Sequence, residues 1–428
     1  MSAAPPLVLM LSAAHPPDDL RVVGKEGAAL AAAGWRVRHL CPGDPATAPR
    51  QHVGVAIEVY PRAAGWWGRL RNVPALARRA AASGAAVIHA SEPDAWLAAI
   101  IAAGRRNRQA PSPALPRCAG EGVIPLPCAA GEGRGGGASP AGHRPRVVLD
   151  VHEHYPSRLD ARLPAPLRPL ARAVMRFACR WMARRADLVV VAKDGLAADF
   201  CAPERILPVR NYAQPVQVTP RVHAPGPVTL VHLGAIGRSR GWPALLDALA
   251  LAPVATRLLV VGRFTDASEA EFRARAAALD LLPRVEIQGW VPHAEALRRA
   301  ARCDIGVILF QPGERNHQLA LPHKLFDAML AGLPVIAPRF ATEVAGIVRD
   351  AGCGELVDPA DPADVAAAVA RLSDPLRRAA LGAAGRHAAL TRYSWDAEAA
   401  RLVQAYARLA PLSESGCCPR SAGAGSPG

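Results

Sequence analysis

Lys324 and Asp327 stand one helical turn apart in the segment Pro322–Pro334, and their charges suit two parts of one ligand. An ammonium is a compact positive charge that suits a phosphate, whereas a carboxylate only accepts hydrogen bonds and therefore suits ribose hydroxyls. The pair predicts a site for a nucleoside diphosphate. The same two residues would also form an ordinary ion pair on a solvated helix face, and these residues alone leave both interpretations open.

The segment around this pair has the pattern of a short helix. Pro322 stands near its first turn, Gly332 follows its end, and Pro334 prevents its continuation. Helical spacing places four apolar residues on one side, which should pack: Leu325, Phe326, Met329 and Leu330. The other side, which we expect to meet a ligand, holds Lys324, Asp327 and Ala331.

A glycine-rich turn about eighty residues earlier offers a second part of the same site. Its glycines, which allow a backbone to approach a phosphate closely, are Gly234, Gly237 and Gly241. A helix is predicted to begin at Trp242, where free amides and the helix dipole favour an anion. Arg238 and Arg240 can add charge-assisted hydrogen bonds. Glycine is also common in turns that bind nothing, so the prediction of a phosphate site depends on Lys324 and Asp327 as well.

Alternating apolar runs and helical patterns must position these residues. They run from Leu7 to Val191 and restart at Thr229, which predicts two doubly wound parallel sheets, an α/β fold whose ligands sit at the carboxyl ends of strands. We divide the chain into an N-terminal domain (1–212), a C-terminal domain (213–392), a last helix (393–410) and a compositionally disordered tail (411–428). Two such domains facing each other would form a deep cleft for a sizeable ligand.

One stretch, 105–144, breaks this periodicity. It contains two near-copies of one motif, Leu115–Gly122 and Leu126–Gly133, both rich in Gly, with Pro in each. Such a repeat cannot build a packed core, so we expect a disordered insertion in a surface loop.

Composition limits the class of protein. The 428 residues are 51% hydrophobic but only 5% aromatic, which fits a soluble α/β protein. No apolar run reaches the roughly 18 residues of a membrane span, and the first residues lead directly into a buried strand, so we expect a cytoplasmic protein. The nine cysteines are scattered, which favours free thiols over a disulfide framework or a zinc site.

The net charge of +15 raises the question of an anionic partner. Nucleic acid is not favoured, because no platform of aromatic and basic residues accompanies the charge. An anionic membrane surface fits one segment, where arginines recur every fourth residue between apolar ones: Arg168, Arg172, Arg176, Arg180 and Arg184. A solvated helix packed on a sheet explains this segment equally well. Trp66 and Trp67 are interpreted as a loop that faces lipid or acceptor, with core packing as the alternative.

The chain resembles the retaining GT-B glycosyltransferases of family four, bacterial surface-polysaccharide type, from Leu7 to about Leu409 outside the insertion. Three separate segments carry the resemblance in the family's order: the opening Leu7–Leu30, Val148–Pro156 with its Asp-x-His-Glu motif, and Pro322–Ala337. The resemblance implies that the C-terminal domain binds a nucleotide sugar, that the N-terminal domain binds the acceptor, and that the last helix, which Tyr393–Trp395 begins, crosses back to the N-terminal domain.

The resemblance also implies roles for single residues. Arg240 and Lys324 would hold the diphosphate, with Gly234, Gly237 and Arg238 in the same turn, while Asp327 would hold the ribose and the backbone at Val291 the base. His152, beside Glu153, would lie at the reacting sugar. His15, Asp18 and Arg21 are interpreted as acceptor-side residues, although Asp18 and Arg21 would equally well cap and pair around the first helix. The departing diphosphate would take the acceptor proton on the same face, so neither a metal nor another cofactor is expected.

Three positions depart from the family's pattern. Its paired glutamates, eight positions apart, fall at Leu319 and Asp327, so the first is absent and the second is shortened. The arginine often found after the first glycine of the turn is Ala235 here, with Arg238 as a substitute.

Three functions remain after this reasoning. The first is a glycosyltransferase, peripheral to a membrane or not, that acts on a glycan or lipid-linked acceptor. The second is a nucleotide-sugar epimerase or hydrolase on the same fold. The third is a degenerate subunit that binds partners without catalysis.

Overall fold

The computed structural model describes residues 4–109, 144–160, 163–200, 203–214 and 216–412. Contacts divide the described residues into two compact units, one made of 4–109, 144–150, 182–189 and 403–412, the other of 151–181 and 190–402. Most of the predicted insertion and the tail lie outside the described residues. Both units are α/β with parallel sheets, so the predicted fold class is confirmed.

The first sheet has eight strands in the order β3-β4-β2-β1-β5-β6-β7-β8. Its central strand β1 is buried along its whole length, as expected for a continuous apolar run in a sheet that is covered on both faces. The strands are β1 (Leu7–Leu11), β2 (Arg36–Pro42), β3 (Gln51–His52), β4 (Val55–Tyr60), β5 (Val87–Ala90), β6 (Arg146–Val151), β7 (Leu188–Val191) and β8 (Ile206–Pro208).

The helices between these strands correct three sequence predictions. The sequence after β1 has the pattern of an amphipathic helix from about Val22 to Ala33, but the structure has a π-helical turn, Val22–Gly27, followed by α1 (Ala28–Ala32). Trp66 and Trp67 lie within a helix, α2 (Gly65–Ala82), and not in a loop. The helix α3 (Pro93–Gln109) continues past residue 105, so the insertion starts later than predicted. The arginine-rich segment forms α4 (Arg168–Ala183) as expected.

The second sheet has six parallel strands in the order β11-β10-β9-β12-β13-β14. They are β9 (Thr229–Leu233), β10 (Arg257–Val261), β11 (Val285–Ile287), β12 (Ile305–Val307), β13 (Val335–Pro338) and β14 (Gly354–Val357). The chain runs outward in one direction from β9 and in the other from β12, so the strand order reverses between these neighbours. That switch point, at the carboxyl ends of β9 and β12, is where such sheets bind ligands.

Helices cover both faces of this sheet. Along β9, Val231 and Leu233 belong to one core cluster and Leu230 to the other. The helices are α5 (Trp242–Leu251), α6 (Glu269–Ala278), α7 (His293–Ala300), α8 (Arg315–Gln318), α9 (His323–Leu330), α10 (Thr342–Ala351), α11 (Pro362–Arg371), α12 (Pro375–Thr391) and α13 (Trp395–Leu409).

The helix α9 confirms one half of its predicted pattern and corrects the other. Its apolar side is buried as predicted, with Leu325 and Phe326 both at 0% exposure. The other side was expected to face a ligand openly, yet Lys324 is only 9% exposed and Ala331 is fully buried. Lys324 therefore lies inside the second unit, where its charge needs local support.

Candidate functional site

The turn after β9 lies against the segment that follows β12. Gly241 has a φ of +87°, and a Cβ there would stand 2.0 Å from the carbonyl oxygen of Leu309. Gly234 also has a positive φ, +75°. Gly237 is extended, and a Cβ there would stand 3.0 Å from Oδ2 of Asp266. Only glycine fits at position 241 without a shift of the backbone, so Gly241 allows the turn to pack against the segment at Leu309.

Two arginines of this turn have different surroundings. Arg238 is exposed and pairs with both Glu271 and Asp266, so carboxylates neutralise its charge. Arg240 is half-buried, and its side chain has no hydrogen bond or ion pair within the described ranges. A desolvated cation without a counter-ion is the arrangement that an incoming anion would satisfy.

Lys324 lies beside the same turn. Its Nζ is 2.9 Å from Nε2 of His232 and 3.2 Å from the carbonyl oxygen of Ala235. The ring of Phe310 lies 6.0 Å from the ammonium. All three neighbours are uncharged in the form they present here, because burial and the Lys324 charge hold the pKa of His232 well below its usual range.

Burial and the nearby charge of Arg240 lower the pKa of Lys324 to about 7. Burial likewise lowers the pKa of Arg240. The charge of Arg240 thus opposes the ionisation of Lys324, and the two cations, at the carboxyl end of β9 and beside a glycine turn, form a region of positive potential. The geometry fits a ligand with two adjacent negative charges.

Asp327 does not pair with Lys324, so the ordinary ion-pair interpretation is wrong for this helix. Oδ1 of Asp327 lies instead 2.8 Å from Nε2 of His293, at the start of α7. Asp327 stays partly exposed, at 14%, so its carboxylate is open to a ligand hydroxyl.

Two further positions bear on the donor. Val291 is partly buried against the core and follows Gly289, whose φ is +60°, and Trp290, which is 68% exposed. Leu319, where the family carries a glutamate, is 4% exposed and caps the end of α8. Its side chain provides packing and no charge.

His152 and Glu153 directly follow β6, as predicted. The Glu153 carboxylate lies 2.8 Å from Nε of Arg158 in a partly exposed ion pair. His152 is partly exposed, and it also has interaction partners within the protein.

In the first unit, Glu92 organises the loop after β1. Its buried carboxylate accepts hydrogen bonds from the amides of Ala13 at 2.8 Å, Ala14 at 2.9 Å and His15 at 3.2 Å. Nε2 of His15 is 3.5 Å from the same carboxylate, and its Nδ1 is 2.8 Å from Asp19. Burial opposes the charge, but Asp19 and Glu92 together raise the pKa of His15 to about 9. The Glu92 carboxylate thus holds both the loop after β1 and the charged ring of His15.

The adjacent Asp18 is exposed, and it is Asp19 that caps the following turn, through the amides of Arg21 and Val22. Arg21 is 6% exposed and reaches Glu26 at 2.7 Å and Asp150 at 3.2 Å. The side chains after β1 and at the end of β6 therefore meet, and Arg21 is enclosed by its ion pairs in this cluster.

His89 completes this buried cluster. Its Nε2 is 3.2 Å from Glu26 and 3.4 Å from Asp150, and its Nδ1 is 2.6 Å from the hydroxyl of Tyr406. Glu26, His89 and Asp150 have the spacing of metal ligands. However, the Arg21 guanidinium already lies between the two carboxylates, so we assign no metal to this cluster.

Sequence reasoning missed His232, Glu92 and Glu26. His232 sits inside a buried strand, where a polar residue among apolar neighbours is a usable signal. Glu92 is the second residue after β5, at the end of the sheet where ligands and loops gather. Only the fold shows which partners they meet.

Comparison with known proteins agrees with this architecture. Residues 21–212 match the family described as "Glycosyl transferase 4-like domain", and residues 227–374 match "Glycosyl transferases group 1". The two matches together cover most of the chain. The chain belongs to the GT-B glycosyltransferases.

Two curated relatives of this glycosyltransferase illustrate the range of the family. A D-inositol 3-phosphate glycosyltransferase of Thermobispora bispora is 33% identical over 51% of the chain and 57% of the relative. A GDP-mannose-dependent alpha-(1-6)-phosphatidylinositol monomannoside mannosyltransferase of Mycolicibacterium smegmatis is 32% identical over 28% of the chain and 38% of the relative. The matched region thus spans little more than half the length of the first relative and well under half the length of the second.

Solved structures share the fold over nearly their whole length. Sucrose-phosphate synthase of Thermosynechococcus elongatus aligns with a TM-score of 0.70 at 20% identity, covering 94% of this chain and 99% of the other. Anabaena HepE in complex with UDP aligns with a TM-score of 0.66 at 17% identity over the same shares.

Proposed function

We propose that this glycosyltransferase moves a hexosyl or related group from a nucleotide-diphosphate sugar to a glycan or lipid-linked acceptor, with retention, in the synthesis of cell-surface polysaccharide. One observation carries the donor class: Arg240 and Lys324 are desolvated cations, and neither forms an ion pair with a carboxylate in the described part of the chain. A diphosphate would supply the missing charge.

The same pair accounts for the chemistry. As the bond between the sugar and the diphosphate breaks, negative charge grows on the leaving oxygen, and Arg240 and Lys324 would stabilise that charge. In a retaining step the leaving diphosphate can accept the proton of the attacking hydroxyl on the same face. These side chains supply the positive charge themselves, so we propose a reaction without a metal or another cofactor.

The names of relatives guide the choice of donors to test. Two curated relatives are named as mannosyltransferases, one of them dependent on GDP-mannose, and HepE was solved with UDP. We therefore propose a thermal-shift screen with UDP-, GDP-, ADP- and dTDP-sugars. At least one donor should raise the melting temperature of the wild type, and Lys324→Ala should lose most of that shift. An equal shift in both proteins would remove Lys324 from the site.

Leu319 favours a second candidate, a degenerate subunit that binds the nucleotide without transferring the sugar. Its buried side chain leaves the family's first glutamate without a counterpart at that position. Incubation of the protein with the selected donor and candidate acceptors separates these functions. Transfer supports the glycosyltransferase, donor binding without turnover supports the degenerate subunit, and stoichiometric epimer without acceptor would indicate an epimerase.

We propose that α4 binds an anionic membrane surface. Four apolar side chains at helical spacing are more than half exposed, namely Leu167 (51%), Leu170 (66%), Val174 (60%) and Phe177 (68%). The segment from Leu163 to Arg185 contains six arginines and no acidic residue. Arg172 and Arg176 pair with Asp160 and Asp199, so the apolar stripe would carry the contact, with Arg168 and Arg180 beside it.

Cosedimentation with vesicles tests this surface. The protein should bind vesicles that contain phosphatidylglycerol, and the double variant Leu170→Ser, Phe177→Ser should reduce binding by about tenfold or more. A matched control is Leu251→Ser, Val254→Ser, which changes two equally exposed apolar residues elsewhere. Equal binding by both double variants would refute the assignment. No described helix is both long and apolar enough to cross a bilayer.

A further inference from the structure

His232 is a buried histidine on β9 whose ring contacts the predicted phosphate-binding lysine. It is 2% exposed, and its Nε2 lies 2.9 Å from Nζ of Lys324 and 3.1 Å from the carbonyl oxygen of Ala235. The same carbonyl oxygen lies 3.2 Å from Nζ. Nζ, Nε2 and this oxygen therefore form one compact group, held by β9, the glycine turn and α9.

An imidazole is suited to this position because it can be either partner of a hydrogen bond. With its proton on Nδ1, Nε2 accepts from a charged ammonium; with its proton on Nε2, it donates to a neutral amine or to the carbonyl. Lys324 thus keeps a partner in either protonation state. A charged Lys324 uses two of its three donors on His232 and Ala235, which leaves the third for a ligand oxygen.

The charged groups around Lys324 disfavour the ammonium while the site is empty. Arg240, on the turn, repels it, and His232, on β9, is neutral. Asp327, one turn along α9, attracts it but is hydrogen-bonded to His293 on α7. An arriving diphosphate would reverse this balance by adding negative charge next to Nζ.

We propose that His232 is a positioning residue that keeps Lys324 in place in both protonation states, and that Lys324 takes up a proton from solvent when a nucleotide sugar binds. The inference rests on the proposed donor site and adds to it a supporting residue and a proton balance. The reaction at Lys324 is only the conversion of an amine into an ammonium.

Isothermal titration calorimetry measures this proton directly. The protein is titrated with UDP-glucose and with GDP-mannose, whose diphosphate diesters do not titrate near neutral pH, in buffers of different ionisation enthalpy. The pKa of Lys324 is about 7 in the free protein. We therefore expect uptake of about half a proton at pH 7 and about 0.9 at pH 8, and a loss of affinity of about 15-fold from pH 7 to pH 8.5.

Variants separate the role of each group. Lys324→Arg carries a permanent charge, so it should abolish both the proton uptake and the pH dependence. His232→Leu removes the partner of Nζ, which should move the midpoint of the affinity profile to lower pH. His232→Gln can also accept or donate, and it should restore the midpoint. His39→Leu removes another buried neutral histidine, outside this site, and should leave the midpoint unchanged.

The outcomes distinguish the inference from the function on which it rests. If neither nucleotide sugar binds at any pH, the proposed donor site fails with these donors. If one binds tightly with no proton uptake in the wild type, the donor site stands and the proton balance is refuted. If His232→Leu weakens binding equally at all pH values, His232 is only a packing residue.

Discussion

Oδ1 of Asp327 lies 2.8 Å from Nε2 of His293, so the carboxylate offered to the ribose is already held by α7. Removing its charge should weaken any hydrogen bond to ribose hydroxyls, since bonds to charged groups contribute about 1.5–3 kcal/mol. Asp327→Asn should therefore lower donor affinity by about 10- to 100-fold.

A donor without one ribose hydroxyl provides the internal control. If Asp327 binds the ribose, the loss of affinity caused by Asp327→Asn should be smaller for a 2′-deoxy donor than for the corresponding ribo donor. His293→Ala removes only the support of Asp327 and should cost less than Asp327→Asn. Equal losses with both donors would place Asp327 away from the ribose.

The two arginines of the glycine turn form a matched pair. Arg240→Ala removes an unneutralised cation and should lower donor affinity by about 10- to 100-fold, as expected for a charge-assisted hydrogen bond. Arg238→Ala breaks an exposed ion pair with Glu271, and exposed ion pairs contribute at most about 1 kcal/mol to stability. Because its charge is already neutralised, donor affinity should change by less than about threefold. Titration of both variants with one donor measures the difference, and a larger effect at Arg238 would contradict the assignment.

Gly241 tests whether the turn must lie against Leu309. A Cβ at position 241 would stand 2.0 Å from the Leu309 carbonyl oxygen, on a backbone with positive φ, so Gly241→Ala should destabilise the second unit by several kcal/mol and weaken donor binding. Gly346 lies inside α10 with nothing within 4 Å of its Cβ position, so Gly346→Ala should stabilise by about 0.5–1 kcal/mol. Urea denaturation of both variants compares these two effects.

Much of this fold could be predicted from the sequence because buried parallel strands are continuous apolar runs. The strand Leu7–Leu11 and the helix Trp242–Leu251 lie where their patterns place them. The strand Val55–Tyr60 and the helix Gly65–Ala82 were not assigned, since the strand alternates in burial and the helix contains Pro74. In these two elements the local sequence pattern is weak, and tertiary packing determines the secondary structure.

The chemistry of the site was harder to predict than its location. Lys324 and Asp327 were identified from their spacing, but spacing alone favours a contact between them. Their actual partners, His232 and His293, come from other elements more than thirty residues away. Such contacts depend on the order of the strands in the sheet, and a single sequence does not state that order directly.

Glu92 should control both the loop after β1 and the charge on His15. Glu92→Gln keeps the shape but leaves one acceptor oxygen for the three amides of Ala13, Ala14 and His15, and it removes a negative charge beside the imidazole. The pKa of His15, about 9 in the wild type, should fall toward its ordinary value of 6.5. NMR titration of the His15 ring measures the change. Asp94→Asn, a nearby carboxylate that pairs with Arg69, should shift it much less.

His89 should make the stability of the first unit depend on pH. Burial opposes its charge, but hydrogen bonds to Asp150 and Glu26 raise the pKa of His89 to about 9, above its ordinary value of 6.5. The folded state therefore binds this proton more tightly than the unfolded state, so the stabilisation is complete below pH 6.5 and is lost as the pH rises through 9. A difference of this size corresponds to at most about 3 kcal/mol.

A comparison of the wild type with His89→Gln isolates this contribution from that of other titrating groups. The variant should lose more stability at pH 6 than at pH 9.5, because the charged imidazole adds to Arg21 in balancing Glu26 and Asp150, and the neutral ring is already the dominant form at the higher pH. Urea denaturation at both pH values gives the two differences in the free energy of unfolding. An identical difference at the two pH values would show that folding does not raise the pKa of His89, which would leave Arg21 as the main cation that balances the two carboxylates.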